Sequence, residues 1–145
     1  MDFDTRLAAY AVIVDTHDRV LLVLGNDTDP PQWALPGGGI DLAEDVPDGL
    51  VRELREETGY DVQPGVLLGV DTEVVAAAER LHDRSRPLKH VRIVHEASIV
   101  GGDLTHEVDG STDEARWIPL GQVEALPRLG HVDLALDWWR EYWGT

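Results

Sequence analysis

Gly38-Gly-Ile-Asp-Leu-Ala-Glu-Asp-Val-Pro-Asp-Gly-Leu-Val-Arg-Glu-Leu-Arg-Glu-Glu-Thr-Gly-Tyr60 is the stretch around which the rest of the chain is organised. Its second half reads as a helix over residues 46–58: Asp45 suits the N-cap, Pro47 the first turn, and Gly59 the position just past the last turn. At about 100° per residue, Leu50, Val51 and Leu54 share one side, while Glu53, Glu56 and Glu57 converge on another. Carboxylates at i, i+3 and i+4 repel by a few tenths of a kcal/mol per pair unless a positive group joins them. Hard oxygen ligands on a rigid element suit Mg²⁺, with Mn²⁺ as a substitute. The simpler alternative is a solvated face on which Arg52 pairs with Glu56 at i+4.

The stretch resembles the Nudix box, whose pattern is Gly, five residues, Glu, seven residues, then Arg-Glu-aliphatic-any-Glu-Glu-any-Gly-aliphatic. Gly38, Glu44, Arg52, Glu53, Leu54, Glu56, Glu57 and Gly59 fall at the required spacings, and Tyr60 stands where an aliphatic residue is usual. Two departures are Ala43, where Gly is common, and Gly49, where Ala is common. Gly49 in a helix interior should cost roughly 0.5–1 kcal/mol relative to Ala.

The resemblance implies an α/β fold, an α/β/α sandwich with a mixed sheet between helices. It also implies metal-assisted attack of water at phosphorus in a nucleoside diphosphate joined to another group. Carried onto this chain, Glu53, Glu56 and Glu57 are the metal ligands, and Glu53, Arg52 and Glu57 the catalytic residues. The proton acceptor is Glu53 or a loop carboxylate, a point on which the family varies, and Arg52 orients a neighbouring carboxylate.

The chain has 145 residues, 12 Lys+Arg against 28 Asp+Glu and a net charge of −16, with 43% hydrophobic residues. That suits one domain over residues 1–145, with a sizeable core. Such a surface repels a nucleic-acid backbone but admits a small phosphorylated substrate where a metal reverses the local charge. With no Cys, disulfide and thiolate chemistry are excluded. The acidic start does not read as a signal peptide, and the longest apolar run, residues 7–14, is too short for a bilayer. A cytoplasmic protein without a membrane partner is the expectation.

Residues 7–14 and 20–24 read as an antiparallel strand pair across a polar turn. Trp33-Ala34-Leu35-Pro36 then leads into Gly37, Gly38 and Gly39, read as a loop that lets substrate diphosphate approach the backbone. Residues 62–75 read as a strand, and 76–87 as a variable loop. Arg80, Arg84, Arg86, Lys89 and Arg92 concentrate the basic residues in one window, so Arg86, Lys89 and Arg92 are substrate-phosphate candidates beside the alternative of a solvated loop. Residues 90–100 alternate as a strand, and 113–120 resemble the family's Trp-aliphatic-Pro-Leu strand.

Some relatives carry a further carboxylate six residues before that Trp, where this chain has Ser111. Glu96, Glu107, Asp113 and Glu114 are all candidates for the role, with Glu96 and Glu114 carried forward. Residues 131–143 read as a helix with Val132, Leu136, Trp139 and Trp143 on one stripe and Leu134 and Trp138 away from it, a core helix whose wide apolar surface also suits a homodimer contact or a lid on the substrate pocket. Two functions compete: a metal-dependent diphosphate hydrolase, and a catalytically silent nucleotide-binding domain of the same fold. The substrate class stays open between nucleotide sugars such as ADP-ribose, (d)NTPs, dinucleoside polyphosphates and non-nucleotide diphosphates.

Overall fold

The computed structural model describes residues 1–106 and 110–144. In chain order it contains β1 (Asp4–Val12), β2 (Arg19–Gly25), β3 (Gln32–Ala34), β4 (Gly37–Gly39), α1 (Val46–Thr58), β5 (Tyr60–Val75), β6 (Leu88–Gly102), β7 (Thr112–Pro119) and α2 (Gly130–Trp143). Short 3-10 helices cover Ala77–Glu79 and Leu120–Ala125.

The strands form two sheets, ordered β4-β1-β6-β5 and β3-β2-β7. The first is mixed, because β1 runs parallel to β6, while β4 pairs antiparallel with β1 and β5 antiparallel with β6. The expected β1–β2 ribbon does not form. Leu21 N–H donates to Ile13 O at 3.0 Å and Val14 bridges Val20, after which the two strands diverge into separate sheets. Burial gives the reason. Ala8, Ala9, Ala11 and Val12 are all buried, as are Val20, Leu21, Leu22 and Val23, so each strand is apolar on both faces and lies inside its own sheet.

Alternation along these strands splits the core in two. Ala9, Ala11, Ile13 and Leu21 meet Leu50 and Leu54 of α1. Val12, Val20 and Leu22 meet Val132, Ala135 and Leu136 of α2 on the other side. The sheets are thus held between the helices, as the fold class requires.

The ends of α1 follow their local chemistry. Asp45 occupies the N-cap in an extended conformation, but its side chain makes no capping hydrogen bond. Gly59 ends the helix at φ 79°, and its N–H returns to Arg55 O. Gly49 is explained by packing: a Cβ there would lie 2.5 Å from Ile40 Cδ1 and 3.1 Å from Glu44 Oε1. The stripe on α2 is broader and shorter than expected. Trp138 packs beside Trp139 on the core, its indole filling the space over Gly69, whereas Trp143 remains 55% exposed. Among the described residues no helix is long and apolar enough to cross a membrane.

Candidate active site

Gly37–Gly39 is a strand rather than a loop, with Ala8, Ala9 and Tyr10 of β1 opposite Gly39, Gly38 and Gly37. Its other side lies against the acidic face of α1. A Cβ on Gly38 would come within 2.7 Å of the Glu53 carboxylate. Gly37 N–H donates to Glu57 Oε1 at 2.6 Å, and Glu57 is buried. The glycines therefore give the carboxylates room and a backbone donor, which a bulkier strand would deny them.

Arg52 is the hub of this wall. Its Nε and Nη2 donate to the two oxygens of Glu44 at 2.7 and 2.9 Å, and Nη2 also donates to Gly39 O at 3.0 Å. Nη1 reaches Glu53 at 3.1 Å and Glu56 at 3.2 Å. The bidentate pair, with a second bond from Asp41 N–H, holds the Glu44 carboxyl down to about 2. The same bond to Glu44 pushes the Arg52 guanidinium above its ordinary range, against the effect of burial. Glu44 is thus a fixed counter-charge that orients Arg52, and Arg52 in turn orients Glu53 and Glu56.

Glu53, Glu57 and Gly37–Gly39 line a cleft of ≈ 970 Å³, within the size range of small-molecule sites. Other parts of its lining come from Arg6 and Tyr10 of β1, His90 and Arg92 of β6, Ser111, and His131 at the start of α2. His131 Nε2 accepts from Leu35 N–H at 3.2 Å, so the ring proton resides on Nδ1, a buried atom with no hydrogen-bond partner among the described residues. Burial first, then the Arg92 charge, lowers the His131 pKa to about 4; burial likewise lowers that of His90. Burial works against the charge on Arg92, but Glu73 and Asp71 outweigh it and raise the pKa.

The remaining candidates separate. Arg92 lines the cleft but pairs with Asp71 at 3.0 Å and with Glu73. Arg86 pairs with Asp4 at 2.7 Å and does not line the cleft. Lys89 is exposed and, by the period of β6, points away from the face that carries His90 and Arg92. Glu56 is half exposed and lies beside Arg52, just outside the lining.

Neither candidate for the extra carboxylate reaches this wall. Glu96 accepts the indole N–H groups of Trp139 and Trp143 at 2.7 and 2.8 Å, beside a separate hollow of ≈ 510 Å³. Glu114 pairs with Arg116, Asp113 accepts from Asn26 at 2.8 Å, and Glu107 lies outside the described residues. Arg6 and His131 were missed from sequence. Extending the alternation of β1 back from Tyr10 through Ala8 would have placed Arg6 on the same face; nothing local marks His131.

Three adjoining helical carboxylates have the donor chemistry of a hard divalent cation. They are turned onto Arg52 and Gly37, and among the described residues no three acidic or imidazole groups converge on one point.

The NUDIX domain family matches residues 4–136. The ADP-ribose pyrophosphatase of Methanocaldococcus jannaschii is 30% identical over 132 residues, covering 88% of this chain and 70% of that protein. The Danio rerio 8-oxo-dGDP phosphatase NUDT18 is 30% identical over 141 residues, 92% of this chain and 39% of that protein. In structure, a NUDIX hydrolase from Nitrosomonas europaea superposes with a TM-score of 0.79 at 21% identity, covering 95% of this chain and 90% of that one. The chain spans only 40%, 39% and 57% of three of the curated relatives it matches.

Proposed function

The chain belongs to the NUDIX domain family, and from that premise we propose that it hydrolyses the diphosphate linkage of a nucleoside diphosphate derivative, ADP-ribose first among the candidates. The observation that carries this reading is the placement of Glu53 and Glu57 on the cleft wall, with Arg52 fixing Glu53 and Gly37 fixing Glu57. The similarity to an ADP-ribose pyrophosphatase across most of both chains supports the choice of first substrate.

Glu53, Glu56 and Glu57 would hold a divalent ion, Mg²⁺ or Mn²⁺. Bound there, it would offset charge developing on the diphosphate and ease deprotonation of the attacking water. Arg52 keeps Glu53 and Glu56 from splaying apart, and the Gly37 N–H keeps Glu57 in one orientation. Glu53 takes the proton as water oxygen bonds to phosphorus and the bridging oxygen leaves with the other phosphate.

The test is a product-release screen against ADP-ribose, other nucleotide sugars, (d)NTPs including 8-oxo-dGTP, and dinucleoside polyphosphates, with Mg²⁺ or Mn²⁺ and a Glu56→Gln control. Turnover of one class, lost in the control, is the expected result. Silence across the panel, with nucleotide binding by calorimetry, would replace the hydrolase with a silent binding domain.

A further inference from the structure

Arg6 sits on β1 opposite His90 of β6, on the strand face that also carries Tyr10. Its guanidinium lies along the backbone of Gly39; a Cβ built there would be 3.6 Å from Nη2. Gly39 adjoins Gly38, the residue whose missing Cβ makes room for the Glu53 carboxylate. Arg6 therefore stands next to the acidic wall and inside the same cleft.

Three arginines line that cleft, and they are not equivalent. Arg80 is engaged by Asp4 at 2.8 Å, and Arg92 by Asp71 at 3.0 Å and by Glu73. Among the described residues Arg6 makes no ion pair, and its one hydrogen bond is a long 3.4 Å contact to Tyr10 Oη. In a chain of net charge −16, a half-buried guanidinium without a carboxylate is a poorly compensated cation. An anion with two or more oxygens matches its fork of donors.

We propose that Arg6 is the substrate-contacting cation of this site, donating to phosphoryl oxygens of the diphosphate beside the α1 carboxylates. The assignment rests on the hydrolase reading for its substrate but not for its test. It transfers to Arg6 the role that the charge pattern gave to Arg86, Lys89 and Arg92.

The experiment is calorimetric binding of imidodiphosphate, a non-hydrolysable two-phosphate probe, in Mg²⁺ to the wild type, Arg6→Gln, Arg6→Lys and Arg84→Gln. Arg6→Gln weakens binding at least about tenfold, Arg6→Lys less because it keeps charge without the fork, and Arg84→Gln stays within about twofold. Arg6→Gln binding within about twofold of wild type, or a wild type that does not bind the probe, overturns the assignment. On any substrate turned over, Arg6→Gln raises KM about tenfold with kcat within about threefold; a collapse of kcat at unchanged KM also overturns it. If the wild type turns over nothing, the hydrolase reading falls while imidodiphosphate still decides Arg6. If turnover is present and binding ignores Arg6, only this inference falls.

Discussion

On α1 the residues that face the cleft are acidic, Glu53 and Glu57, and a charged network through Arg52 and Glu44 sets their positions. On α2 the cleft-facing residue is His131, packed 5.1 Å from the Tyr10 ring and held neutral by burial. Both helices end on glycines in the left-handed region, Gly59 and Gly144, and both bury an aliphatic stripe against the sheets. They differ in what surrounds the polar residue. Glu53 lies 3.1 Å from the Arg52 guanidinium and buried Glu57 accepts the Gly37 N–H at 2.6 Å, so each cleft-facing carboxylate has a donor beside it, and a cation can join them. His131 is 8% exposed, and its environment favours the uncharged ring. One wall of the cleft is built for charge chemistry and the other for shape.

The largest effect belongs to the charged wall. Glu53→Gln and Glu57→Gln keep the shape of their side chains and should each lower kcat by about 10²–10³, read by product release. A loss of less than about threefold in both would remove the contrast between the walls.

The neutral wall should reveal itself in stability instead. Between pH 6.5 and about 4 the unfolded chain binds a proton on His131 that the folded chain refuses. Its stabilisation is complete above pH 6.5 and declines as the pH falls to about 4, a difference of roughly 3 kcal/mol. Urea titrations across that range should show a shallower slope for His131→Gln than for the wild type; parallel slopes would mean that the ring titrates normally. Glu44 acts lower on the scale. Its stabilisation is present above its ordinary 4.5 and is lost toward 2, so Glu44→Gln flattens only that acid limb.

Smaller still is the packing of α1 against the loop before it. Gly49→Ala alone should gain little, because its Cβ meets Ile40 Cδ1 at 2.5 Å. Made in an Ile40→Val background, the same change should recover about 0.5–1 kcal/mol of helix propensity. Equal effects in both backgrounds would show that Ile40 is not the obstacle. At the bottom of the scale, Arg86→Gln and Lys89→Gln should leave KM within about twofold, since one is engaged by Asp4 and the other faces away from the cleft.

The acidic wall was legible in the sequence because a helix fixes the directions of residues three and four apart, whatever else the chain does. Arg52 was legible through the same spacing, as the i+4 partner of Glu56, and the family pattern supplied Gly38 and Glu44. What was hidden depends on partners far along the chain. The separation of β1 from β2 follows from burial on both faces, which periodicity cannot distinguish from a ribbon. The basic window from Arg80 to Arg92 looked available because its counter-charges, Asp4, Asp71 and Glu73, come from other strands. Glu96 is taken by Trp139 and Trp143, which come 43 and 47 residues later. Arg6 stands out only once every other arginine lining the cleft is seen to be engaged.

The most direct test of the acidic wall is turnover of ADP-ribose by wild type and Glu56→Gln, first in EDTA and then through a Mg²⁺ titration. The expected result is no turnover in EDTA, saturable recovery in the wild type, and recovery in Glu56→Gln that is absent or needs far more metal. Turnover that persists in EDTA, or that Glu56→Gln recovers at the same Mg²⁺ concentration, would contradict a catalytic role for the α1 carboxylates through a divalent ion.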